Sequence, residues 1–130
     1  MKKRILVVDD ELAFNEMIKL TLEVTGRYQV RTIAYPSQAV PVARAFKPDL
    51  ILLDCMMPDM DGGEVAGRIE ADKELAGVPV AFLSATVSGP ETAPSRCYTG
   101  LRTYLPKTLP LQQLVKFIDN LTSGEPAARG

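Results

Sequence analysis

Five polar residues, far apart in the chain, share one local setting. Asp9 and Asp10 close the apolar run Ile5-Leu6-Val7-Val8, Asp54 closes Leu50-Ile51-Leu52-Leu53, Ser84 follows Val78 to Leu83, and Lys107 follows Arg102 to Leu105 after Pro106. Each run has the length and composition of a strand, and in an open α/β sheet ligands bind just outside the strands' carboxyl ends. If these ends are neighbours, three carboxylates crowd into one crevice with an ammonium and a hydroxyl. Two like charges ~4 Å apart repel by about 4 kcal/mol at an effective dielectric of about 20, so such a cluster takes up protons or recruits a cation. With only oxygen donors at hand apart from the Cys55 thiol, the cation expected is Mg²⁺ or Mn²⁺ rather than zinc or copper. Mg²⁺ binds through one or two carboxylates and completes its shell with water and phosphate oxygens, so the crevice expects a phosphoryl group. Asp54 can be the nucleophile that receives it, as an aspartyl phosphate. A carboxylate attacks already ionised, so the lack of any histidine in the sequence is no obstacle. Lys107 would neutralise charge on the transferred oxygens, and Ser84 would donate a hydrogen bond to one of them.

Bringing these residues together takes an alternation of strands and helices, and the chain reads that way. From Glu11 to about Thr25 the apolar residues Phe14, Met17, Ile18 and Leu22 recur at helical spacing, and Gly26 supplies the stop. Tyr28 to Ala34 alternates β-formers with polar residues, as a less buried strand near a sheet edge does. Ser37 is the expected N-cap of a helix through Phe46, with Pro41 close enough to the first turn to cost little. The central strand, Asp49 to Asp54, is bounded by Pro48 and by the turn Pro58-Asp59-Met60-Asp61-Gly62. A third helix is expected from about Gly63 to Leu75, with Val65 and Ile69 inward. Pro79 sits where the fourth strand begins, the one place a strand tolerates it. Val87 to Thr99 contains Gly89, Pro90 and Pro94, so a fourth helix there is short or irregular. Leu111, Leu114, Val115, Ile118 and Leu121 make an amphipathic last helix. Ser123 to Gly130, small and polar, reads as a disordered tail or the start of a linker, leaving one domain over residues 1–122. The whole is an α/β domain with a five-stranded parallel sheet and right-handed crossovers.

The totals agree with one domain: 130 residues, 46% of them hydrophobic, bury a sizeable core. Fifteen basic against 16 acidic residues leave a formal charge of −1, which gives no electrostatic footprint for nucleic acid or an anionic membrane. Neither direct nucleic-acid contact nor membrane association is therefore expected. The apolar run behind Met1-Lys2-Lys3-Arg4 stops at Asp9, too soon for a signal peptide, so a cytoplasmic location is expected. Two cysteines and no histidine argue against a disulfide framework and exclude histidine-based acid/base chemistry.

Taken singly, Asp9-Asp10 is more often a helix cap, Ser84 a turn residue, Tyr104 ordinary packing and Lys107 a solvated charge. Order and spacing promote them. Ile5-Leu6-Val7-Val8-Asp9-Asp10-Glu11, Pro48-Asp49-Leu50-Ile51-Leu52-Leu53-Asp54, Met57-Pro58-Asp59-Met60-Asp61-Gly62, Leu83-Ser84-Ala85 and Tyr104-Leu105-Pro106-Lys107 together resemble a receiver domain of two-component response regulators, from about Lys3 to Leu121. The resemblance implies a doubly wound, flavodoxin-like fold with strand order 2-1-3-4-5 and helices on both faces. It implies that Asp54 is the phosphoacceptor, that Asp10 and Asp54 bind Mg²⁺ directly, that the backbone carbonyl of Met56 completes the protein ligands, and that Asp9 binds through water. It further implies that Lys107 pairs with the phosphoryl group and that Ser84 and Tyr104 form a switch pair. Self-catalysed phosphotransfer with slow autodephosphorylation is then expected, in place of turnover of a substrate. The expected partners are a sensor histidine kinase or phosphotransfer protein and a downstream protein. One departure stands out: the family usually has Pro after its lysine, commonly with a cis bond, and Thr108 stands here, where a cis bond would cost about 2.5 to 4 kcal/mol.

A phosphatase of the haloacid dehalogenase type also uses a strand-end aspartyl nucleophile, but needs a second Asp two residues on, where this chain has Met56. A receiver-like interaction module that no longer responds to phosphorylation is the other reading, suggested by Thr108 and the Pro-containing segment at 87–99. The residues after Leu121 are too few for a DNA-binding domain, so a stand-alone regulator or an excised receiver is expected, with homodimerisation open.

Overall fold

A computed structural model describes residues 2–54, 62–84, 103–107 and 110–122. Five strands form the sheet: β1 (Lys3–Val8), β2 (Tyr28–Ile33), β3 (Leu50–Asp54), β4 (Val80–Ser84) and β5 (Thr103–Pro106). Four α-helices accompany them among the described residues: α1 (Leu12–Val24), α2 (Ala39–Phe46), α3 (Gly62–Ala71) and α4 (Leu111–Leu121). All strand pairs are parallel, in the order β2-β1-β3-β4-β5.

The near-continuous apolar runs of β1 and β3 suit a sheet covered on both sides. On one face Leu6, Val8, Ile51, Leu53 and Phe82 pack with Ala39 and Ala43 of α2 and Val65, Ala66 and Ile69 of α3. On the other, Ile5, Val7, Leu50, Leu52, Ala81, Leu83 and Leu105 meet Ile18 and Leu22 of α1 and Leu114 and Ile118 of α4. Alternate residues of each strand thus feed opposite cores, as the pleat requires. The parallel register aligns Val8 with Leu53, and Asp54 with Leu83, so the strands finish nearly level. This brings Asp9, Asp54 and Lys107 to one rim.

Several local expectations need correction. Ser37 does not cap a helix: Pro36–Gln38 is a 3₁₀ turn, with the Gln38 N–H donating to the Tyr35 carbonyl, and no side chain caps α2. Pro36, with its fixed φ, starts that turn, and α2 begins at Ala39, which keeps Pro41 in its first turn. The third helix ends at Ala71 instead of Leu75. There the Asp72 carboxylate accepts the Glu74 N–H at 2.9 Å and the backbone tightens into i→i−3 bonds, Asp72 N–H to Ile69 and Leu75 N–H to Asp72. Met17, in line with the apolar spacing of α1, is 54% exposed. Gly26 ends α1's trailing turn with φ +78°, a left-handed conformation that suits glycine. Pro79 precedes β4, and its carbonyl accepts the Ile51 N–H. The expected irregular helix at 87–99 and the tail at 123–130 lie outside the described residues. Among the described residues no helix is long and apolar enough to cross a membrane.

Candidate functional site

Asp9 follows β1 directly and is fully buried. Its backbone holds the strand end in place, the N–H donating to Ile33 at 3.1 Å and the carbonyl accepting from Asn15 Nδ2 at 2.8 Å. Its Oδ1 accepts the Glu11 N–H at 2.9 Å, which tethers the approach to α1. Asp10 is exposed, and Asp54, the last residue of β3, is buried. One carboxylate oxygen from each of Asp9, Asp10 and Asp54 lies within 4.8 Å of the others. The three acids that the sequence separates by 45 positions therefore share one pocket.

Lys107 arrives from the end of β5 with its side chain only 7% exposed. Its Nζ stands 2.7 Å from Asp9 Oδ2 and also pairs with the Glu11 carboxylate. The Phe14 ring lies beneath, 4.7 Å from Nζ to its centroid, in cation–π contact. Burial alone would lower the Lys107 pKa, but the Asp9 and Glu11 carboxylates outweigh it and, with Asp54 adding at longer range, hold the ammonium above its usual value. A charge-bearing lysine is thus fixed on the acid cluster.

The expected residues divide as follows. Asp9, Asp10, Asp54 and Lys107 come together at the carboxyl ends of β1, β3 and β5. Ser84 ends β4 and aligns with Pro106, and Tyr104 aligns with Phe82, but the two side chains lie outside the description. Met56 and Thr108 fall outside the described residues. Three participants went unread: Glu11, Phe14 and Asn15. Glu11 stands inside the acidic motif and was available as a candidate, whereas Phe14 carries the same signal as any inward helix residue and Asn15 carries none.

The response regulator receiver domain family matches residues 5–119. The chain belongs to this family. It is a receiver domain of two-component signalling, with the flavodoxin-like parallel fold of that group. Among curated relatives, the DNA-binding response regulator MtrA of Mycolicibacterium smegmatis is 41% identical over 85 residues, 65% of this chain and 36% of that protein. The phosphate regulon transcriptional regulatory protein PhoB of Pseudomonas aeruginosa is 42% identical over 83 residues, 64% of this chain and 36% of that protein. This receiver thus spans about a third of the length of the curated relatives it matches. Among solved structures, the receiver domain of sensor histidine kinase PA1611 from Pseudomonas aeruginosa superposes with TM-score 0.79 at 26% identity, over 95% of this chain and 100% of that one. That structure has a magnesium ion coordinated in the active site cleft. Chemotaxis response regulator CheY4 of Vibrio cholerae, at 23% identity, TM-score 0.79 and coverage of 93% and 99%, is alike in fold.

The expectation of no direct nucleic-acid contact is overturned by the curated relatives: MtrA is a DNA-binding response regulator by name, and PhoB a transcriptional regulatory protein. Its basis was a net charge of −1 summed over this sequence. A sum over a stretch matching about a third of each relative measures only the surface of that stretch.

Proposed function

We propose that this receiver accepts a phosphoryl group on Asp54 in a Mg²⁺-dependent reaction and that the modification switches a surface governing its output. The observation that carries the reading is the convergence of Asp9, Asp10 and Asp54 within 4.8 Å, with Lys107 on the same cluster. The donor set fits a hard divalent cation: the three converging side chains all offer carboxylate oxygens, and the charge of three acids exceeds what one ammonium offsets. Asp10, the exposed acid, and Asp54 are the direct ligands in this reading, and the Met56 carbonyl completes the set. Asp9 has Oδ1 on Glu11 and Oδ2 on Lys107, so it is better suited to hold a bound water than to enter the inner shell. The magnesium bound to PA1611 supports the assignment by likeness. When bound, the ion would neutralise charge on the transferred oxygens and hold them in line.

The residues of the chain do the rest. An ionised Asp54 oxygen attacks phosphorus, a new O–P bond forms, and the bond to the donor breaks with its electron pair leaving on the donor. Lys107 offers its ammonium to a phosphoryl oxygen, and the Ser84 hydroxyl donates to another. Ser84 and Tyr104 then move as the switch pair. Slow attack of water on the aspartyl phosphate returns Asp54 and inorganic phosphate. For the output we take DNA regulation from the relatives' names, and with it a cytoplasmic location, where bacterial DNA is met.

Incubation with a small acyl phosphate and Mg²⁺ should add one phosphoryl group by intact mass, reversed by hydrolysis. Asp54→Asn should abolish the addition, and chelation of Mg²⁺ should suppress it. Undiminished labelling in Asp54→Asn disproves the acceptor assignment, and an unreactive wild-type protein favours the module that does not respond to phosphate.

A further inference from the structure

Lys107 is held by more than the acid cluster. The ammonium donates a hydrogen bond to Glu11 and forms an ion pair with Asp9 at 2.7 Å, with the Phe14 ring beneath. The two holders differ in kind. Asp9 is fully buried and anchored at both its backbone and side chain, whereas the Glu11 side chain is 63% exposed. The Glu11 backbone is nonetheless fixed: its N–H donates to Asp9 and its carbonyl accepts the Asn15 N–H at 3.1 Å. The carboxylate is therefore aimed at Lys107 across 96 positions of sequence. Asp54 acts on Lys107 only at longer range, so the ammonium must shift to meet a phosphoryl oxygen arriving there, and the solvent-exposed partner is the one cheapest to give up.

We propose that Glu11 is a positioning residue, a resting-state anchor for the Lys107 ammonium that must let go as the phosphoryl group is transferred, so that it slows phosphorylation of Asp54. The inference rests on the reading of Asp54 as acceptor. Phe14, one turn along α1, serves as the floor on which the ammonium pivots without leaving Asp9. Neutralising Glu11 frees a donor in advance, and because exposed ion pairs are weak the gain is bounded at about fivefold.

The test has two arms. In EDTA, without donor, urea unfolding of wild type, Glu11→Gln, Lys107→Met and the double variant forms a cycle. Glu11→Gln should lower the folding constant up to about fivefold in the wild-type background and leave it unchanged beside Lys107→Met, with Lys107→Gln as a second background. In the second arm, phosphorylation by acyl phosphate at saturating Mg²⁺ should reach a higher maximal rate in Glu11→Gln, by up to about fivefold, with half-saturation by donor unchanged. Glu11→Asp should fall between, and Glu16→Gln, which removes the same charge from an exposed position of α1, should match wild type. An absent coupling in EDTA overturns the anchor whether or not the protein takes phosphate. Coupling in EDTA with an unreactive wild type sinks the acceptor reading and leaves the anchor established. Coupling together with unchanged rates, or a Glu16→Gln rate that rises equally, overturns the role in transfer.

Discussion

At the scale of single residues, chemistry was legible where a change of character marked it. Asp54 ends an apolar run, and no packing role explains an acid there, so its place could be read before any geometry was known. Glu11 and Phe14 could not be read in the same way, because their partner is Lys107 and nothing in local spacing reports a contact across more than 90 positions. Asp72 is a similar case away from the site. It stops α3 through its own side chain and also pairs with Arg44 of α2, Nε to Oδ2 at 2.7 Å, with its side chain 4% exposed. The Arg44 hydrogen bond, against the penalty of burial, holds its pKa below the usual carboxylate value. A depressed folded-state pKa contributes stability that is present above the unfolded value, near pH 4, and is lost as pH falls through the folded value. Asp72→Asn should therefore destabilise the protein at pH 7, with a difference from wild type that shrinks as denaturation is repeated toward pH 2. A difference constant over that range would mean that the carboxylate's charge is irrelevant.

At the scale of elements, the sequence resolved type more readily than boundary or facing. The last helix separated its faces correctly: Leu114 and Ile118 are buried, with Leu111, Val115 and Leu121 packed beside them. In α1 the same method placed Phe14, Ile18 and Leu22 correctly but not Met17, which with Leu20 and Val24 forms an exposed apolar stripe on the other side of the helix. Periodicity alone does not say which of two apolar stripes faces the sheet. The alternation of β2 did identify an edge strand, and the structure adds how that edge is closed. The Val30 N–H, pointing away from β1, donates to Glu23 Oε2 at 3.0 Å, and the Val30 carbonyl accepts Lys19 Nζ at 3.0 Å. Lys19 and Glu23 are themselves an i,i+4 ion pair of α1, and that hydrogen bond, aided by Val30, lowers the Glu23 pKa. An edge strand with open backbone groups invites another strand, so the pair acts as a cover. Lys19→Ala with Glu23→Ala should cost about 1 kcal/mol in urea unfolding, since both side chains are partly solvated. The double variant should also self-associate in sedimentation velocity at concentrations where wild type does not. A monodisperse double variant would show that α1 itself, and not its ion pair, shields the edge.

At the scale of the whole molecule, the alternation of strands and helices was enough for a parallel α/β sheet, and the resemblance supplied the strand order that the structure bears out. What a total over the chain did not supply was the DNA-binding role of its relatives, since charge summed over one region is blind to the rest of the proteins it resembles. The distribution of charge within the region is more telling than its sum. A near-neutral chain has gathered three acids at one rim of the sheet, where their mutual repulsion opposes folding. Lys107 offsets part of it, and a divalent cation would offset the remainder, so the folded state should bind Mg²⁺ and the unfolded chain should not. By mass action, a concentration one hundred times the dissociation constant then stabilises the fold by about 2.7 kcal/mol, which raises the melting temperature by several degrees. Asp10→Asn, which removes the exposed ligand while leaving the Asp9–Lys107 pair in place, should abolish most of that rise. The same variant should melt higher than wild type in EDTA, because it also removes repulsion. Melting curves of both proteins in EDTA and across a Mg²⁺ series measure the two effects together. A wild-type melting temperature indifferent to Mg²⁺ would mean that Lys107 already balances the cluster and that the site has no need of a metal.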